Sequence, residues 1–282
     1  MTNPLIESRS RFLTENPARQ SSFGEREWGF IRVGNQGPAL VLVPGTLGKA
    51  EIFWQQMEAL SNRARVLAIT YPDSYDMEEW SQDLEHLMDE AGFESATVLG
   101  SSLGGYFAQY FAGTRPQRCR MLIAANTLSS TEFAKQVPPY SLDLANAPID
   151  ALRKGFADGM SASVKADPDM ADLVGMLLED VNGGIPESNL RSRLMAIKFA
   201  EPLPAVSLSP EQVCTIEAAD DPLIPPPVRD EVRAFTKAVH SYRFLHGGHF
   251  PYVVRPGDYT MILEECLDLK KVPDASAGIR DL

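Results

Sequence analysis

Ser102 lies in Val98-Leu99-Gly100-Ser101-Ser102-Leu103-Gly104-Gly105-Tyr106, which reads as an apolar strand, a Gly-x-Ser-x-Gly turn and the start of a helix. A serine at the tip of a sharp strand-to-helix turn presents its hydroxyl for attack on an electrophilic carbon, the layout of a nucleophile elbow. The glycines have a physical reason to be there, since a serine in strained backbone needs neighbours without side chains two residues away. The competing reading of five such residues is a glycine-rich turn that only caps a strand. The surroundings favour the elbow. Ser95 to Leu99 reads as a short buried parallel strand, and Tyr106, Phe107, Tyr110 and Phe111 follow the turn at helical spacing. Thr114-Arg115-Pro116 then stops the helix, because proline blocks its continuation.

An activated serine needs a base, and the base needs an orienting acid. The chain has four histidines. His86 sits in an amphipathic helical stretch as a surface or boundary residue, His240 opens a late strand, and His246 ends that strand. His249 is different. It lies in Gly247-Gly248-His249-Phe250-Pro251, a loop between the last clear strand and the closing helix. Such loops, at the carboxyl ends of parallel strands, line ligand crevices. His246 and His249 form H-x-x-H without a further evident ligand, so no metal is expected. After a nucleophile elbow the triad runs in the order serine, acid, histidine. Ala218-Ala219-Asp220-Asp221-Pro222-Leu223-Ile224-Pro225 follows a buried strand at the required place. Asp221 is the first candidate acid and Asp220 the alternative; either is also a natural turn or helix-capping residue. A tetrahedral oxyanion needs preorganised donors. The Leu103 N–H, next after the nucleophile, is one. The loop Pro44-Gly45-Thr46-Leu47-Gly48 offers the second, from Thr46 or alternatively Leu47.

These loops need a scaffold, and the sequence supplies one. Apolar runs at Ala39–Val43, Val66–Thr70, Arg120–Ala125 and Val213–Glu217 read as buried strands, joined by Trp28–Val33 and Tyr242–Leu245. Between them Ile52–Leu60, Met77–Ala91, Val228–Ala238 and Tyr259–Leu269 read as helices. Alternating strands and helices predict an α/β chain with a mostly parallel central sheet and helices on both faces. From Ser129 to Ser207 no buried strand is evident, and short helices are broken by Pro138-Pro139, Pro148, Pro168 and Gly183-Gly184. The expected organisation is a core of residues 1–128 and 208–282, with 129–207 inserted as a helical cap, or lid. Met160, Met170, Met176 and Met195 of this insertion either pack its helices or line an apolar acyl pocket.

Composition narrows the function. The chain has 282 residues, 44% hydrophobic and 23% charged, enough for a full core. A net charge of −12 disfavours nucleic acid as a partner. Three widely spaced cysteines, Cys119, Cys214 and Cys266, form neither a disulfide framework nor a zinc site and are expected to be buried thiols. No apolar stretch approaches the roughly 20 residues of a membrane span. The first residues lack the pattern of a secretory signal, so a cytoplasmic location is expected.

The Pro-Gly-Thr loop, Gly-Ser-Ser-Leu-Gly-Gly, Ala-Asp-Asp-Pro-Leu-Ile-Pro and Gly-Gly-His-Phe-Pro stand in the order of the α/β-hydrolase superfamily, which the chain resembles over nearly its whole length. Ala50-Glu51-Ile52-Phe53-Trp54-Gln55-Gln56, Tyr71-Pro72, Ser102-Leu103-Gly104-Gly105 and Gly248-His249-Phe250-Pro251-Tyr252 are similar to the maspardin-like branch. The resemblance implies an α/β-hydrolase fold with a helical cap. With Ser102, His249 and an aspartate in place, the expected function is a serine esterase-like hydrolase of a small ester or related acyl substrate, with no cofactor. Haloalkane dehalogenases and epoxide hydrolases of this fold carry aspartate where Ser102 stands. Pro44-Gly45 replaces the His-Gly that most relatives carry before the oxyanion residue. The maspardin-like pattern matches Asp220 rather than Asp221 to the acid. Maspardin itself is regarded as a binding protein with another residue at the histidine position. The alternative function is therefore a non-catalytic binding or adaptor protein with a protein partner.

Overall fold

The computed structural model describes residues 3–270 and 278–282. In chain order its strands are β1 (Arg19–Phe23), β2 (Arg26–Val33), β3 (Ala39–Val43), β4 (Arg65–Thr70), β5 (Ala96–Ser101), β6 (Cys119–Ala125), β7 (Val213–Ala218), β8 (His240–Phe244) and β9 (Gly278–Asp281). Its helices are α1 (Pro4–Glu15), α2 (Trp54–Leu60), α3 (Met77–Glu90), α4 (Leu103–Thr114), α5 (Ile149–Ala166), α6 (Ala171–Glu179), α7 (Glu187–Lys198), α8 (Pro226–Thr236), α9 (Pro251–Val254) and α10 (Pro256–Cys266). The strands form one sheet in the order β1-β2-β4-β3-β5-β6-β7-β8-β9. The pairs β1–β2 and β2–β4 are antiparallel, and every pair from β4–β3 to β8–β9 is parallel. The expected mostly parallel sheet is present.

The strand sequences explain the layering. All residues of β3, β5 and β7 are buried, as both faces of a central parallel strand require. Successive side chains alternate between faces. Leu40, Leu42, Leu99 and Ile216 pack on one side with Phe53, Trp54, Met57, Tyr259 and Leu263. Val41, Val43, Val98 and Val213 pack on the other with Trp28, Trp80, Leu84, Phe107 and Phe111. The parallel strands β3, β5, β6, β7 and β8 end on one edge. From that edge emerge residues 44–48, Ser102, Asn126, Ala219–Asp221 and residues 245–250.

Between β6 and β7 the described residues form helices and turns. A third apolar cluster lies there, where Leu144, Leu152, Val181, Ile185, Leu190 and Leu194 enclose Leu47. Leu47 comes from the loop after β3, so this region packs directly onto the predicted oxyanion loop. Residues between 144 and 194 therefore pack against a loop at the carboxyl edge of the sheet.

Four elements differ from expectation. The edge strands β1 and β9 are polar, with sequences RQSSF and GIRD, and carry no apolar alternation. The closing helix starts at Pro256 rather than Tyr259 and is preceded by α9. Pro251 and Pro256 each occupy the first helical position, where the missing N–H costs nothing. β8 ends at Phe244, which leaves His246 in the loop. Among the described residues, no helix is long and apolar enough to cross a membrane.

Candidate active site

Ser102 separates β5 from α4 with φ 55° and ψ −119°, a left-handed backbone unusual for serine. Such strain costs about 1–3 kcal/mol and persists only where the surroundings enforce it. Here the Ser102 N–H donates to the Ala125 carbonyl at 3.0 Å. The Ser102 carbonyl accepts from Thr127 Oγ1 at 2.6 Å and from the N–H groups of Gly105 and Tyr106 at 2.9 and 3.1 Å. The glycines are forced by contact. A Cβ on Gly100 would lie 1.9 Å from the Gly104 carbonyl oxygen, and one on Gly104 would lie 2.3 Å from that of Val43. Ser102 itself is half-buried.

His249 is buried, and its Nδ1 lies 2.9 and 3.1 Å from the two carboxylate oxygens of Asp221. Paired with a carboxylate, Nδ1 carries the ring proton and Nε2 is left as the basic nitrogen. Asp221 Oδ1 also accepts from the Leu223 and Ile224 N–H groups at 2.8 and 3.2 Å, an Asx turn built on the following Pro-Leu-Ile. Asp220 faces elsewhere. Its carboxylate accepts from the N–H groups of Gly247 and Gly248 at 2.9 to 3.1 Å. Both aspartates thus serve the His249 loop, Asp221 through the ring and Asp220 through the backbone.

Asn126 is not singled out by its local sequence. At the end of β6, with φ 42°, it donates from Nδ2 to Asp221 Oδ2 at 2.9 Å and to the Gly248 carbonyl at 3.3 Å. Its chain neighbour Ala125 holds Ser102. One strand end therefore links Ser102, Asp221 and the His249 loop. The available signal was an asparagine just past a buried strand, a residue that tolerates left-handed backbone.

The loop after β3 abuts Ser102: a Cβ on Gly45 would lie 3.1 Å from Ser102 Cβ and 3.7 Å from Oγ. Gly45 to Gly48 form a turn closed by the Gly48 N–H on the Gly45 carbonyl at 3.0 Å. Among the described residues, no acceptor takes the N–H of Thr46, Leu47 or Leu103. The sequence names Leu103 and Thr46, or alternatively Leu47, as the oxyanion donors. Pro44 adds rigidity, and its carbonyl accepts from the Tyr71 hydroxyl at 2.7 Å.

Residues 38–256 match the family described as the alpha/beta hydrolase fold. The chain belongs to that family. Within it, the chain is 25% identical to maspardin of Danio rerio over 231 residues, 80% of this chain and 72% of that protein. It is 26% identical to maspardin of Homo sapiens over 235 residues, covering 80% and 73%. The fold is shared with the enol-lactonase of Burkholderia xenovorans LB400 at a TM-score of 0.73 and 18% identity, with 89% of this chain and 100% of that one aligned. The α/β-hydrolase fold and the maspardin-like character expected from the motifs are both present.

The other histidines of this α/β-hydrolase lie apart from the Asp221–His249 pair. His86 is exposed and stacks on Phe23 at 5.4 Å, His240 opens β8, and His246 is exposed. The three cysteines are free and buried in β6, β7 and α10, and burial pushes the Cys119 thiol up to about 12. Met176 is fully buried in the core. Met160 and Met195 pack on the cluster around Leu47. Met170 reaches the His249 loop, its methyl 3.7 Å from where a Gly248 Cβ would stand. A cavity of about 240 Å³ lined by Arg120, Gln212, His240 and Glu265 lies at the opposite, amino end of β6 to β8.

Burial alone would raise the Asp221 carboxyl, but His249, the Asn126 amide and the Leu223 N–H together hold it below its ordinary value. A lowered folded pKa stabilises the protein above the unfolded value of about 3.9, and that contribution is lost as pH falls through the folded value. The gap in urea midpoint between wild type and Asp221→Asn is therefore expected to narrow between about pH 6 and about pH 3. A gap that stays constant or widens would contradict the ionised pair.

Proposed function

We propose that this protein is a serine hydrolase that cleaves a small ester or related acyl substrate through an acyl-enzyme on Ser102. The observation that carries the reading is the His249 Nδ1–Asp221 pair at 2.9 Å on the same strand edge as a serine held at φ 55°. Ser102 Oγ attacks the acyl carbon and passes its proton to His249 Nε2. The N–H groups of Leu103 and of Thr46, or alternatively Leu47, stabilise the oxyanion. Collapse expels the leaving group, which takes the proton from His249. Water then attacks the acyl-enzyme, gives a proton to His249 and releases the carboxylic acid as that proton returns to Ser102. Asp221 orients the ring, and Asp220 shapes the loop that carries it. Every step uses this chain and water. The helical region of residues 129–207 acts as the cap that selects the acyl group.

Similarity to the maspardins favours a second reading, a non-catalytic binding protein on the same fold. A fluorophosphonate probe separates the two. Covalent labelling of the wild type that vanishes in Ser102→Ala and is much slower in His249→Ala is expected. A wild type that takes no label points to the binding protein instead.

A further inference from the structure

We infer that Arg193, on the cap helix α7, is a positioning residue for the oxyanion loop; this rests on the serine-hydrolase reading above. Arg193 is wholly buried. Its Nη1 donates to the Thr46 carbonyl at 3.0 Å and to the Gly48 carbonyl at 2.6 Å. Its guanidinium lies 5.3 Å from the centre of the Tyr71 ring. Among the described residues no carboxylate forms an ion pair with it, and its Nε has no hydrogen-bond partner. A buried charge with no contacting counter-charge is expensive, and burial outweighs the more distant Asp180, Glu51 and Asp73 and lowers this guanidinium to about 10. Stability alone gives no reason to keep such a group.

The loop supplies one. A trans peptide sets its C=O and N–H antiparallel. With the Thr46 carbonyl drawn to Arg193, the Leu47 N–H of the same peptide must face away from it. The charge also polarises that peptide and strengthens the N–H as a donor. The neighbouring carbonyls are fixed too. Tyr71 hydroxyl holds Pro44, the Gly48 N–H holds Gly45, and Arg193 holds Gly48. Asn189, also on α7, donates to the Tyr71 carbonyl at 2.8 Å, so the cap helix braces both supports. The Leu47 side chain is packed against Leu190 and Leu194 of the same helix. Gly45 meanwhile touches Ser102. The cap therefore does more than cover the site: it sets the direction of the loop's N–H groups.

The test compares Arg193→Met, Arg193→Lys and Tyr71→Phe with wild type, using fluorophosphonate labelling rates and kcat and KM for p-nitrophenyl butyrate. Circular dichroism and thermal unfolding check the fold. Arg193→Met is expected to slow labelling and lower kcat about 100-fold, as loss of one oxyanion donor does, with KM within about twofold. Arg193→Lys keeps the charge but not the planar guanidinium over Tyr71 and recovers part of the loss. Tyr71→Phe, which removes one hydroxyl, lowers kcat about 10-fold, again with little effect on KM. A folded Arg193→Met that labels at the wild-type rate, or a loss confined to KM, overturns the inference. Should Arg193→Met not fold, wild-type kcat in both other variants overturns it. A wild type that takes no label removes the hydrolase reading and this inference with it, whereas a labelled wild type isolates the question to Arg193.

Discussion

Asp221→Asn is expected to lower kcat toward p-nitrophenyl esters about 10⁴-fold, the loss seen when an orienting carboxylate becomes an amide and selects the wrong histidine tautomer. The carboxylate oxygens accept the Nδ1 proton of His249 at 2.9 and 3.1 Å. They also take the Asn126 amide and two backbone N–H groups. With so many donors converging, an asparagine there must aim its NH₂ at a group that already donates. The neighbouring carboxylate gives the control. Asp220→Asn loses one acceptor facing Gly247 and Gly248 but leaves the ring pair intact. It is expected to cost about 10-fold or less, through loop placement alone. Steady-state kinetics on both variants, with thermal unfolding as the fold check, decide the matter. A larger loss in Asp220→Asn would assign the orienting role to Asp220, as the maspardin-like pattern suggests.

That choice marks the boundary of what the sequence carries. The strands β3, β5 and β7 are legible because a central parallel strand is buried on both faces and must be apolar throughout. The elbow is legible because backbone crowding at Gly100 and Gly104 admits no side chain. The glycines around His249 and the Asp-Asp turn follow the same logic of loops after buried strands. The edge strands β1 and β9 leave no such trace, because each pairs on one side and faces water. Asp220 and Asp221 are adjacent in the chain just past the end of β7, and only the twist of the strand end decides which carboxylate faces His249. Asn126 and Arg193 act over 95 and more than 140 residues of chain. Nothing local in α7 separates Arg193 from Arg191, which bonds the Leu144 and Ala147 carbonyls near the surface. The protein's own three-dimensional closure distinguishes them.

Gly104→Ala is expected to destabilise the fold by about 3 kcal/mol or more, at the upper end for an overpacked site. Its Cβ would stand 2.3 Å from the Val43 carbonyl oxygen and 2.5 Å from that of Pro44, and both obstacles are backbone. No rotamer change relieves the clash, so the helix start and the Pro44–Gly48 loop must separate. Gly104 has an ordinary negative φ, unlike Gly248 at 56°, so the penalty is steric rather than conformational. Gly45→Ala provides the graded comparison. Its Cβ would meet Ser102 Cβ at 3.1 Å, a contact that a small shift absorbs. Stability should fall by about 1 kcal/mol, while a displaced nucleophile or oxyanion donor lowers kcat about 100-fold. Urea unfolding and p-nitrophenyl butyrate kinetics on the two variants read both effects. Gly104→Ala with wild-type stability would show that the elbow and the Pro44–Gly48 loop do not press together. Gly45→Ala with wild-type kcat would show that the loop's approach to Ser102 has no part in the chemistry.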